Sequence, residues 1–271
     1  MRRVALAALA CVVALVGRPA MSEAAETVLV HAAGSLRTSL DEIAAAYEKQ
    51  TGVKVIAKYG ASGTLREEIE RGEKADLFLS ANMEHPLMLR RAGKSSHVAL
   101  FARNQLCALV KPGLAVTPAN LLDRMMDPKV KLGTSTPRAD PSGDYAWEVF
   151  RKADAQRVGA FTALSHKALQ LVGSPTSATA PAGRSLYGML VSQGRADLFL
   201  TYCTNAREAV KQNPGQRMIE LPDNLAVGAD YGLAVMTSAS PAAYRFAMYI
   251  LSGDGQRILA NHGFAAPGVP R

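Results

Sequence analysis

Two stretches decide the fold. Residues 27–36 read Thr27-Val28-Leu29-Val30-His31-Ala32-Ala33-Gly34-Ser35-Leu36, and residues 53–65 read Val53-Lys54-Val55-Ile56-Ala57-Lys58-Tyr59-Gly60-Ala61-Ser62-Gly63-Thr64-Leu65. Each opens with a short run of β type. Each then passes through a glycine and a serine into apolar residues at helical spacing: Leu36, Leu40, Ile43, Ala44 and Tyr47 in one case, Leu65 and Ile69 in the other. Thr51-Gly52 and Arg71-Gly72 stop the two helices, and Ala75-Asp76-Leu77-Phe78-Leu79-Ser80 supplies a third strand. The order β-α-β-α-β predicts a mainly parallel sheet flanked by helices, an α/β fold.

Further along, Val98 to Val110 is a long extended stretch of a length that suits a connection between two lobes. The alternation then resumes. Val130 to Gly133 reads as a strand, Asp144 to Ala153 as a helix and Ala196 to Tyr202 as a strand. Tyr231 to Thr237 is one more β-type run, followed by a helix from Pro241 to Leu251. Gly173 to Gly183, rich in Pro, Gly, Ser and Thr, reads as a loop.

The bulk composition narrows the function classes. With 271 residues, 48% hydrophobic and 20% charged, the chain has enough apolar material for two domains and no disordered signature. The formal charge of +8 includes Arg2, Arg3 and Arg18, which fall in a segment expected to be removed. The remaining cations alternate with acids, as in Arg66-Glu67-Glu68, in the manner of a solvated helix face. Nucleic-acid binding is not expected.

Residues 1–25 have the layout of a secretory signal peptide: Arg2-Arg3, an apolar run from Val4 to Val16, then small residues around Ala20 to Ala24. The run is shorter than the roughly 20 residues a membrane-spanning helix needs. Export to the periplasm is the expectation. Cys107 and Cys203 remain in the mature chain, and in an oxidising compartment they either pair or stay as two buried thiols. The histidines at 31, 85, 97, 166 and 262 show no ligand spacing, so no residue is expected as a direct metal ligand.

Ser35 and Ser62 stand at corresponding strand-to-helix junctions. Helix N-termini carry unpaired N–H groups and the positive end of the dipole, and loops at the carboxyl ends of parallel strands line the ligand crevice. Both serines can therefore face an anion, or each can simply cap its helix. Gly60-Ala61-Ser62-Gly63-Thr64 is not Gly-x-Ser-x-Gly, because the second glycine falls one residue early, and no histidine is evident as a partner. An enzyme is not expected.

The ordered set of motifs resembles the periplasmic molybdate-binding proteins of ABC importers, over essentially the whole mature chain. The matching segments are Ala32 to Leu36, Gly52 to Val55, Gly60 to Leu65, Ala75 to Ala81, Ala139 to Ala146 and Ala196 to Tyr202. The resemblance implies a two-lobed periplasmic binding protein fold of type II, with hinge strands joining residues 26–104 plus 228–271 to residues 105–227. It implies a monomer, without a cofactor, that closes over molybdate or tungstate and delivers it to a membrane permease. Ser35 and Ser62 match the serines of the first lobe, and Tyr202 matches a tyrosine hydroxyl of the second. Ser142 falls in the turn that supplies a backbone amide, and counting back from Gly194 puts a second amide near Arg184. Three departures stand out: Ser142 where Ala is usual, Asp144 where a basic residue is common, and the unusual stretch up to Arg184. Arg184 would either bring a full positive charge to the site or lie on the surface. Sulfate, phosphate or a small organic acid is the alternative ligand, while a regulator's effector domain fits neither the export signal nor the absence of a helix-turn-helix segment.

Overall fold

Strand β1 (Thr27–Ala33) lies between two parallel neighbours, β2 (Lys54–Gly60) and β3 (Leu77–Ser80), and is buried on both faces from Val30 to Ala33, as a strand in a sheet flanked by helices is. This is the computed structural model of the chain, which describes residues 26–174, 176–181, 183–265 and 267. The expected signal peptide, residues 1–25, lies outside the described residues. Between β1 and β2 runs α1 (Arg37–Thr51), which buries Leu40, Ile43 and Tyr47 at helical spacing against the sheet. It ends where Gly52, at φ 74°, takes the left-handed conformation and donates its N–H to the Glu48 carbonyl at 2.8 Å. Helix α2 (Ser62–Glu70) returns the chain to β3, and α3 (Glu84–Arg91) follows.

Strand β4 (Ser95–Val110) is 16 residues long and belongs to two sheets. Its first part pairs antiparallel with β9 (Gly228–Met236), from Ser95↔Met236 to Gln105↔Gly228. From Leu106 onward it pairs with β7 (Leu198–Tyr202), and from Cys107 with β8 (Arg217–Glu220). The remaining elements are α4 (Leu121–Met126), β5 (Leu132–Ser135), α5 (Pro141–Gln156), α6 (Ala160–Lys167), β6 (Leu169–Val172), α7 (Leu186–Ser192), α8 (Cys203–Gln212), α9 (Pro241–Leu251) and α10 (Gly253–Asn261). The full strand order is β2-β1-β3-β9-β4-β7-β5-β6, with β8 beside β4. Strand β5 is parallel to both β6 and β7, so the second sheet also carries helices over parallel strands. The architecture is the α/β one that the alternating pattern predicts. Among the described residues no helix is long and apolar enough to cross a membrane.

Helix α5 starts three residues earlier than the apolar spacing predicts. Asp140 caps it by accepting the Ser142 N–H at 3.0 Å, and Pro141 takes the first helical position, where its missing N–H costs nothing. Cys107 on β4 and Cys203 at the start of α8 form a disulfide, settling what two cysteines in the sequence leave open. Both sit in a buried cluster with Leu109, Phe199 and Ala206. The bond closes a sequence separation of 96 residues, so it strongly restricts the unfolded chain. Replacing both cysteines by alanine is expected to lower stability by about 2–5 kcal/mol in a denaturant titration. No loss would show that the bond leaves the unfolded ensemble unchanged.

Candidate functional site

The first junction places Ser35 in a single 3-10 turn (Gly34–Leu36) directly after β1. The Ser35 hydroxyl makes no capping bond. It lies 2.9 Å from the hydroxyl of Tyr231, a fully buried residue of β9. Tyr231 Oη also accepts from Asn104 Nδ2 at 3.3 Å, and the Asn104 amide is oriented because its Oδ1 accepts the Gln105 N–H at 2.9 Å. Either hydroxyl can supply the proton of the Ser35–Tyr231 bond, so the pair is a short relay that can present an O–H to a group beside Ser35.

The second junction is built differently. Ala61, not Ser62, is the cap of α2, and Ser62 is the first helical residue, buried to 1% exposure. Its Oγ accepts the Ala81 N–H at 3.1 Å, beyond the end of β3. One lone pair is therefore occupied while the hydroxyl proton remains to be donated. Next to it, Gly63 N–H donates to the Ala139 carbonyl at 2.9 Å, joining the start of α2 to the turn before α5. A Cβ at position 63 would lie 2.3 Å from the Arg138 carbonyl oxygen and 2.7 Å from that of Ala139, so only glycine fits. Arg138 itself is held at φ 69°, uncommon for a side-chain-bearing residue, with its N–H given to Asp144 Oδ1 at 2.8 Å. That bond is the use of Asp144, the acid in a place where a base was noted as common.

On the far side of this contact lie Ser142 and Tyr202. The Ser142 hydroxyl is fully buried and has no hydrogen-bond partner among the described residues. The same holds for the Tyr202 hydroxyl at the end of β7. Burial pushes the Tyr202 phenol well above its ordinary range, with nearby tyrosines and Asp140 adding to the effect, so it is a proton donor throughout the physiological range. The Tyr202 ring stands edge-on to Tyr231 at 5.6 Å and to Tyr145 at 6.2 Å. Tyr145 Oη in turn donates to the carbonyl of Ala81 at 3.3 Å, the residue whose N–H is taken by Ser62. Ser35, Tyr231, Tyr202, Tyr145, Ala81 and Ser62 thus form one contiguous chain of contacts, closed by Gly63 against Ala139.

Arg184 is not drawn into this group. Its backbone N–H donates to the Pro181 carbonyl at 3.0 Å, its side chain is exposed, and among the described residues it makes no ion pair. Helix α7 begins at Leu186, with Ser185 capping it through the Gly188 N–H. Counting back from Gly194 overshoots because the cap falls one residue later than the position it reaches. Asp140, Tyr231 and Asn104 were not singled out by the sequence reading. For Asp140 a signal existed, since Asp followed by Pro is a cap-plus-first-residue signature. Burial pushes its carboxyl up to about 6, against a weaker opposing bond from the Ser142 amide.

Away from this group, His31, Glu68 and Glu73 come together with ligand atoms within 4.8 Å of one another, although nothing in their spacing suggests it. The Lys58 ammonium lies 2.8 Å from Glu73 and 2.9 Å from Glu68, so a cation of the chain itself already sits between the two carboxylates. A cleft of about 510 Å³ opens beside Tyr145 and is bordered by Asn82, Glu84, Asp144 and Asp230. Its acidic rim does not suit an anion, and of the chain of contacts only Tyr145 is among its lining residues. Gly63→Ala is expected to hold the start of α2 away from the turn before α5. Small-angle scattering should then give a larger radius of gyration than the parent, and unchanged scattering would show that the contact does not keep the two sides together.

The architecture has known counterparts. The model of the family described as bacterial extracellular solute-binding protein matches residues 28–265. An uncharacterized protein of Pasteurella multocida, PM1146, is 36% identical over 235 residues, covering 86% of this chain and 96% of its own length. The molybdate-binding protein ModA of Escherichia coli is 26% identical over 250 residues, covering 88% of each chain. Among solved structures, the sulfate-binding protein SubI of Mycobacterium tuberculosis superposes with a TM-score of 0.72 at 18% identity, covering 89% of this chain and 87% of its own, which shows the shared two-lobed type II fold. The match across almost the whole described chain, together with the relative at 36% identity, makes this protein a member of the bacterial extracellular solute-binding protein family.

Proposed function

We propose that the chain captures a small tetrahedral oxyanion, molybdate or tungstate, by closing its two sides over it, and presents it to the membrane permease of an ABC importer. The observation that carries this reading is the pair of buried hydroxyls without partners among the described residues, Tyr202 Oη within the chain of contacts that joins Ser35 to Ser62 and Ser142 Oγ three residues past the Ala139 carbonyl that meets Gly63. A buried hydroxyl left unpaired costs about 1–3 kcal/mol, so a folded chain retains such groups where a ligand satisfies them. All four can donate an O–H, and Ser62 already has an acceptor site engaged by the Ala81 amide. A fully deprotonated oxyanion offers acceptors only, which complements this set. The similarity to the molybdate-binding protein of Escherichia coli favours molybdate, while the fold shared with a sulfate-binding protein keeps sulfate as the second reading.

The family acts in solute transport, and the geometry agrees with binding rather than catalysis. Ser62 Oγ bonds a backbone amide and has no imidazole beside it, so it lacks the base a nucleophile requires. In this reading residues 1–25 direct export to the periplasm, the mature protein acts as a monomer, and the ligand set is Ser35, Ser62, Ser142 and Tyr202, with no resident cofactor.

Titration calorimetry with molybdate, tungstate, sulfate and phosphate tests the ligand. Heat is expected with the first two, and its absence with both sinks the molybdate assignment. Ser62→Ala is expected to weaken binding by about 1–3 kcal/mol, since an anion oxygen loses its donor. Unchanged affinity would mean that the hydroxyl serves only to hold Ala81.

A further inference from the structure

Asp140 is an acid where the proposed ligand is an acid too. It is 8% exposed, and its Oδ1 accepts the Ser142 N–H at 3.0 Å. An anion that takes the Ser142 hydroxyl therefore sits on the residue whose amide the Asp140 carboxylate already holds, and like charges that approach within roughly 4–6 Å strongly disfavour each other. We propose that the bound oxyanion and the Asp140 carboxyl share one proton, so that a dianion is held only together with a proton taken from solvent or carried by the ligand. This rests on reading the donor group as the oxyanion site.

No counter-charge stands ready to do the same work. From its own helix Asp140 faces Asp144, a second acid, and from β7, α7 and β9 it faces the phenols of Tyr202, Tyr187 and Tyr231. Strand β5 contributes only the Ser135 hydroxyl. The loop after β6 contributes Gly173, where even a Cβ would lie 2.6 Å from that of Asp140. Arg138 and Arg151 act on Asp144 rather than on Asp140, and among the described residues no ion pair reaches Asp140. Burial has already pushed the carboxyl up to about 6, so near neutrality the proton is readily taken up. A dianion beside it drives the value higher still.

The balance is simple. A free dianion, an ionised Asp140 and one proton combine into a complex in which the new O–H bond sits on the carboxyl. A ligand that arrives with its own acidic proton brings the same total charge. Below about 6 the carboxyl is already protonated, so affinity is flat. Above it, each pH unit weakens binding of a dianion about tenfold, the slope of a one-proton linkage.

The test is titration calorimetry of the mature protein with molybdate and tungstate from about pH 5.5 to about pH 8.5, in two buffers of different ionisation heat. Uptake of close to one proton per anion is expected at the alkaline end, falling toward none at the acid end. Asp140→Asn keeps a residue that caps helices equally well. It is expected to bind without proton uptake, without the pH slope, and more tightly than the parent at the alkaline end. Binding by the parent with no proton uptake overturns the inference and leaves the oxyanion site standing, as does a variant that keeps the slope. No heat with either anion, at any pH and in either protein, overturns the oxyanion site and this inference with it.

Discussion

A single backbone hydrogen bond, from Gly63 N–H to the Ala139 carbonyl, holds the start of α2 against the turn before α5, and the rest of the site depends on it. The bond forms because residue 63 has no side chain. With any Cβ there, two carbonyl oxygens would lie only 2.3 and 2.7 Å from it, closer than a Cβ can come. The turn offers those carbonyls because Arg138 adopts a left-handed conformation, and it adopts that conformation because Asp144 accepts its N–H. Ser62 lies immediately before the contact and Ser142 three residues after it in the chain. The approach of two backbones therefore sets the spacing of two side-chain hydroxyls.

In the proposed reading, holding an anion without a cation demands that protons, not lone pairs, face inward, so what the neighbouring groups bond matters. Asn104 donates to Tyr231, Tyr231 lies against Ser35, and the Ala81 amide takes an acceptor site on Ser62. Burial keeps Tyr202 protonated without any partner. The cost is a set of unsatisfied hydroxyls inside the protein, which must be offset by packing. The edge-to-face contacts among Tyr145, Tyr202, Tyr231, Phe101 and Phe264 surround the site with aromatic surface, and the Cys107–Cys203 bond ties the hinge strand to the helix that follows Tyr202.

Much of this was legible residue by residue. The strands and helices from Thr27 to Ser80 follow from apolar spacing and from glycine stops, because each of those signals acts over one or two turns of chain. The serines at 35 and 62 were legible as positions but not as chemistry. The sequence leaves open whether a serine caps its helix, and the answer lies with Tyr231 and Ala81, on other strands. The start of α5 was misjudged because Pro141-Ser142-Gly143 reads as a turn, although the Asp140 cap and the proline at the first helical position begin a helix there. Arg184 lies beside the cap, Ser185, because a count along the chain reaches only the neighbourhood of a helix start and cannot tell which residue of a loop becomes the cap.

The sequence by itself determined the alternating α/β order, the paired glycine-serine junctions and the family to which these motifs belong. All of these are encoded in neighbours a few residues apart, where backbone propensity and side-chain period decide the outcome. Only the tertiary structure decided which groups the hydroxyls meet, that Gly63 meets Ala139, that the two cysteines bond, and that an acid lies buried beside Ser142. Ser35 and Tyr231 are 196 positions apart, and their contact exists only because β1, β3 and β9 pack side by side in one sheet. Hydrogen-bond direction and burial are properties of such packed neighbours, so no local pattern could have revealed them.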